Sequence, residues 1–195
     1  MSALRKVSMT IEGRVEHAAG TPTVTFRDAV GELLAVAADM VKSGGRPADP
    51  FGSGRGRKRY RITYADESTV VVDSGDAAST SVRRGDGTAV GTILRAESAT
   101  AVASTGGTLF HFVRDPCTPP TPELLRLLVL DRSGSEIGCL DVVRAVVDSL
   151  SPNGITIHST RLSVPLSADR TERDILLAAC VDITLGSRPY CAELP

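Results

Sequence analysis

The chain has 195 residues, long enough for one well-buried core and within the range of a single all-β domain of roughly 200 residues. Its formal net charge is −1, so no global field recruits nucleic acid or an acidic membrane, and any such binding has to come from a local patch. Cys117, Cys139, Cys180 and Cys191 form no Cys-x-x-Cys pair, and His17, His111 and His158 stand apart from them, which argues against a metal site.

The first residues carry no apolar run of the secretory kind, and nowhere does an uninterrupted apolar stretch reach the roughly 18 residues of a membrane helix. A cytoplasmic protein without a transmembrane span is expected. The first hairpin signal is Asp28-Ala-Val-Gly31-Glu-Leu-Leu-Ala35, entered by a strand over Val24 to Arg27. Residues 43–57, rich in Gly and Pro, read as a flexible loop. The next strands fall at Arg59 to Tyr64, where Tyr60, Ile62 and Tyr64 share a face, and at Val70 to Asp73.

A short pattern then repeats. Gly87-Thr-Ala-Val-Gly91-Thr-Ile93 and Gly134-Ser-Glu-Ile-Gly138-Cys-Leu140 both have the form Gly-x-x-aliphatic-Gly-x-aliphatic, and both leave a polar turn containing Asp. Each reads as a β-hairpin, with entering strands at Thr80 to Arg83 and Leu124 to Leu130. The second glycine falls inside the outgoing strand, where a missing side chain permits a bulge, a bend or a close backbone approach. Between and after the copies come strands at Ala99 to Ala103, Thr108 to Val113, Ile137 to Val147 and Ile155 to Val164, with a Pro-rich loop over Asp115 to Glu123.

Near the chain end the period changes. Thr171-Glu-Arg-Asp174 has the form of a capping box with Thr171 as N-cap, and Ile175-Leu-Leu-Ala-Ala-Cys-Val181 follows, apolar on every side. An apolar run of this length also suits a central strand, but its Leu and Ala richness and the cap favour a helix, which has to be buried all round, with Cys180 as a small core residue.

Bent hairpins followed by one apolar C-terminal helix resemble the Tubby C-terminal-like superfamily, which includes the LURP-one-related proteins and the phospholipid scramblases. The residues that carry the resemblance are the repeats at Gly87 to Ile93 and Gly134 to Leu140 and the segment Ile175 to Ile183. It implies a mainly β fold over residues 1–195 as one domain: a closed antiparallel β-barrel of about twelve strands around one buried C-terminal hydrophobic helix. The residues ask for the same arrangement unaided, since closure removes sheet edges and an apolar helix needs an enclosing wall. Asp73-Ser-Gly-Asp76 lacks the ligand spacing of the scramblases' calcium loop, so a scramblase activity is not expected.

The candidate site is Arg55-Gly-Arg-Lys-Arg-Tyr-Arg61, in which Arg55, Arg57, Lys58, Arg59 and Arg61 are basic. Flexible basic segments attract anionic lipids and pair with phosphate, so anionic phospholipid or phosphoinositide headgroups are the expected ligands. Arginine carries most of this chain's positive charge, as in GC-rich bacterial genomes, and a solvated surface loop has the same composition. Arg83 and Arg84 join the patch if the fold brings the hairpins together. No phosphate loop, dinucleotide fingerprint or nucleophile elbow occurs, and no catalytic residue or cofactor is assigned. His111 and His158 sit in strands, with Asp115 or Asp141 as conceivable acids. The expectation is a non-catalytic binding or scaffold protein, with nucleic acid not among its partners. The alternatives are a small-ligand or enzymatic barrel and a protein–protein interaction module of a bacterial assembly.

Overall fold

The computed structural model describes residues 8–18, 21–40, 58–74, 78–95, 99–119, 121, 124–146, 155–165 and 169–185. Among the described residues twelve strands precede one helix, beginning with β1 (Ser8–Ala18), β2 (Thr21–Arg27), β3 (Leu33–Asp39), β4 (Lys58–Tyr64), β5 (Thr69–Ser74) and β6 (Ser79–Arg84). They are followed by β7 (Ala89–Arg95), β8 (Ala99–Ala103), β9 (Thr108–Arg114), β10 (Leu124–Asp131), β11 (Glu136–Val146), β12 (Ile155–Pro165) and α1 (Arg170–Leu185). Every strand is antiparallel to its sequence neighbour, and β1 pairs with β12 as well as with β2, so the sheet closes into a barrel. The proposed loop at 43–57 lies outside the described residues.

Alternation makes these segments strands. In β4 the side chains of Tyr60, Ile62 and Tyr64 are buried while Arg59, Arg61 and Thr63 are exposed, and β5, β6 and β10 repeat the pattern. One face therefore supplies a continuous core from Val24 and Phe26 round to Leu162 and Val164. Each large side chain buried there stabilises the fold by about 1.5–3 kcal/mol.

The hairpins at one end of the barrel share a single device. In each, an amide closes back on the carbonyl three residues earlier, from Gly31 to Asp28, Glu67 to Tyr64, Gly87 to Arg84, Gly106 to Ala103 and Gly134 to Asp131. The closing residue has positive φ in all five, and four of the five are glycine. This is a type I turn with a G1 bulge. The turns at Glu67 and Gly106 escape the repeat pattern because one has Glu in place of Gly and the other has no Asp. The register slips opposite the second glycines, between Val82 and Arg83 across from Gly91 and between Val129 and Leu130 across from Gly138. A Cβ on Gly138 would enter the carbonyl oxygen of Ser163, and one on Gly91 would enter that of Val102 and lie 2.5 Å from Ile175 Cδ1. Both bulging and close approach explain those glycines.

α1 starts one residue before the expected cap. Asp169 is the capping residue, its Oδ1 accepting the Thr171 amide at 2.7 Å and its carbonyl the Arg173 amide at 3.1 Å. A carboxylate at that position outcompetes a hydroxyl because it also meets the positive end of the helix dipole. Every residue from Asp174 to Leu185 is buried. The helix is held from opposite walls of the ring: Cys180 Sγ lies 3.6 Å from Thr160 Oγ1 on β12, and Asp182 accepts a 3.0 Å hydrogen bond from Thr80 on β6. It therefore runs inside the barrel.

Candidate functional site

Cross-strand register assembles a basic surface on the outer face of β4, β5 and β6. Arg59 stands opposite Asp73, which stands opposite Ser81; in the next outward row Arg61, Val71 and Arg83 are aligned. With strands about 4.8 Å apart, the backbones of Arg61 and Arg83 are roughly 10 Å apart across Val71. Arg59, Arg61 and Arg83 are exposed. A surface groove of about 360 Å³ crosses this face, lined by Arg59, Asp73, Ser81, Arg83, Arg84 and the Gly85 turn. Asp73 lies 3.8 Å from the Arg59 Nε, but Arg59 keeps 53% of its side-chain surface exposed, so the pair is screened and worth little. The arginines thus outnumber the acid that accompanies them.

The expected basic segment is divided by the pleat. Lys58 shares the inward parity of Tyr60, and its Nζ donates to the Leu185 carbonyl at 3.1 Å, beside the 2.7 Å hydrogen bond from Tyr60 Oη to the same oxygen. These two side chains satisfy an otherwise orphaned carbonyl at the helix C-terminus. Arg59 and Arg61 face outward, whereas Arg55 and Arg57 lie outside the described residues. Arg83 and Arg84 come from the neighbouring hairpin, and antiparallel pairing through β5 brings Arg83 to Arg61.

Behind the groove, two carboxylates are fully buried on α1. Asp174 Oδ2 accepts Arg84 Nε at 3.0 Å and its Oδ1 accepts the Tyr64 hydroxyl at 2.8 Å. Arg84 Nη2 reaches Thr171 Oγ1 at 3.4 Å, and the Arg173 guanidinium stacks 4.7 Å above the Tyr64 ring. Towards the other end of α1, Arg95 holds Asp182 through Nε at 2.9 Å and through Nη2, which also reaches Thr80 and Ser74. Burial pushes the Tyr60 and Tyr64 phenols well above their ordinary range, reinforced by Asp39 and Asp174 respectively. Burial also lowers Lys58. The sequence does carry a signal for this layer: Asp174 and Asp182 bracket an apolar run, and a carboxylate there requires a countercharge. It does not say which arginines answer.

The remaining candidates are separate from one another. His111 points away from Phe110 and Phe112, as their alternation requires, and its Nδ1 lies 3.2 Å from Thr100 Oγ1. Asp141 instead binds Arg126 at 2.6 and 2.8 Å, and Asp115 accepts the Cys117 amide and the Thr118 hydroxyl within its own turn. Cys180 is buried, and its thiol is pushed up to about 12 by burial. Among the described residues no three His, Cys, Asp or Glu side chains group in a way that could hold a metal ion, and no helix is long and apolar enough to cross a membrane. No family model matches the chain, and no curated protein or solved structure matches it.

Proposed function

We propose that the protein is a non-catalytic binding barrel of the Tubby C-terminal-like kind, whose outer β4–β6 face takes the phosphoryl groups of anionic phospholipids. The observation that carries this reading is the register that sets Arg59, Arg83 and Arg84 in the lining of one groove and aligns Arg61 beside it, across Val71 from Arg83. Planar guanidinium forks match phosphate oxygens, and two from β4 with one from β6, set side by side across β5, offer more than either strand can alone. The sheet with a single buried C-terminal helix supports the fold resemblance. Lys58 serves the helix end instead. A cytoplasmic location suits this function, since anionic headgroups face the cytoplasm.

Sedimentation with phosphatidylcholine vesicles, with and without a phosphatidylinositol phosphate, tests the proposal at low and high salt. Binding is expected only with the anionic lipid and is expected to weaken as salt rises. At about 1 kcal/mol per basic residue, replacing Arg59, Arg61 and Arg83 with alanine lowers affinity by about 100-fold. Binding that ignores salt, or survives the triple substitution, overturns it.

A further inference from the structure

The groove and the buried helix share one side chain. Arg84 lines the groove, keeps 23% of its side-chain surface exposed, and directs Nε at the fully buried Asp174. Its Nη2 leans on Thr171 in the first turn of α1. A guanidinium has five N–H donors in a rigid fork, so the edge held by Asp174 fixes the direction of the rest. We propose that Asp174 is a positioning residue for the groove: gripping Arg84 from inside the barrel, it aims the remaining donors at a bound phosphoryl group and couples anion binding to the seating of α1. This rests on the groove being an anion site.

Two opposed effects make the claim decidable. A carboxylate near a bound anion repels it, so if Asp174 acted only through its charge, neutralising it would tighten binding. If it orients Arg84, neutralising it weakens binding despite the charge removed. The linkage is reciprocal, because a ligand that prefers the seated helix must also hold the helix in place.

The test uses a short-chain, water-soluble phosphatidylinositol phosphate as probe. Asp174→Asn is expected to lower its affinity about tenfold, the worth of one well-aligned charge-assisted hydrogen bond. Tyr64→Phe removes the other hydrogen bond to the same carboxylate and leaves Arg84 in place, so its affinity should match the wild type even though the protein is less stable. Should Asp174→Asn fail to fold, amide exchange in the first turns of α1 of the wild type is expected to slow when the probe is added. Affinity that rises or stays level in Asp174→Asn, an equal loss in Tyr64→Phe, or exchange indifferent to the probe overturns the coupling and leaves the anion site standing. A wild type that does not bind the probe overturns both.

Discussion

Arg95 on β7 grips Asp182 of α1 with two nitrogens, Nε lying 2.9 Å from Oδ2 and Nη2 meeting Oδ1, and the carboxylate has no exposed surface. Arg84 grips Asp174 eight residues earlier on the same helix. The helix is thus keyed to β6 and β7 at two heights, which fixes its depth and rotation inside the barrel where apolar packing alone would leave both adjustable.

Removing one member of such a key leaves a charge in the interior. Arg95→Met is expected to cost about 3–5 kcal/mol, a large part of the roughly 5–15 kcal/mol that holds a domain together. The double variant Arg95→Met with Asp182→Leu should recover most of that loss, since a buried pair replaced by apolar groups of similar volume is often close to neutral. Urea midpoints of wild type, single and double variants measure both. If the double variant is no better than Arg95→Met, the pair is not the source of the loss.

Glu67 is the one residue other than glycine with positive φ, at 63°, among the described residues. It occupies the place filled by Gly31, Gly87, Gly106 and Gly134 in the other turns, with its amide 3.0 Å from the Tyr64 carbonyl. A side chain there costs about 1–2 kcal/mol, and Glu67→Gly is expected to raise stability by roughly 0.5–1 kcal/mol after glycine's greater freedom in the unfolded chain is deducted. Chemical denaturation is sensitive enough to detect the gain, and a loss of stability would contradict the shared turn geometry.

Gly91 is constrained by space and not by φ. Its would-be Cβ enters the Val102 carbonyl oxygen and approaches Ile175 Cδ1, so Gly91→Ala pushes β7 from β8 and from the helix together. A cost of about 3 kcal/mol is expected, at the upper end for overpacking. Adding Ile175→Val removes the Cδ1 and should return only part of it, because the Val102 carbonyl cannot retreat without breaking the sheet. Full recovery would show the helix contact alone to be limiting.

Much of the barrel is legible in the sequence because its signals are local. Alternation at Tyr60, Ile62 and Tyr64, turn glycines at Gly87 and Gly134, and the apolar run from Ile175 each require only neighbouring residues to be read. The β4–β5 turn is less visible because Glu67 accepts a strained conformation that the sequence pattern reserves for glycine. The cap lies at Asp169 and not at Thr171 because a carboxylate also meets the positive end of the helix dipole, a preference hidden by the capping-box pattern that begins at Thr171. The basic segment was visible as composition, yet its division was not: Lys58 and Arg59 are adjacent in sequence and face opposite sides of the wall. Which arginines meet Asp174 and Asp182 is set by contacts across about ninety residues of chain, beyond the reach of any local pattern.

Three buried groups that lose protons at high pH make the alkaline limit predictable. Tyr60 and Tyr64 are raised well above their ordinary value and Cys180 is raised to about 12, each mainly by burial. A raised folded-state pKa means that the unfolded chain releases the proton first. The stability is therefore fully present below the unfolded values, about 8.5 for cysteine and 10 for tyrosine, and is lost as pH climbs through the folded ones. Lys58, lowered by burial, works in the opposite direction up to about pH 10.4 and offsets one of the three. The urea midpoint should therefore hold up to about pH 9 and fall steeply above about pH 10, each phenol contributing roughly 1.4 kcal/mol per pH unit. Tyr64→Phe removes one of those phenols and the hydrogen bond to Asp174. It starts less stable by about 1–2 kcal/mol at neutral pH and declines more gently, so its curve should converge on the wild type as pH rises. Parallel curves would mean that the Tyr64 phenol titrates alike in the folded and unfolded chains, contrary to its burial against a carboxylate.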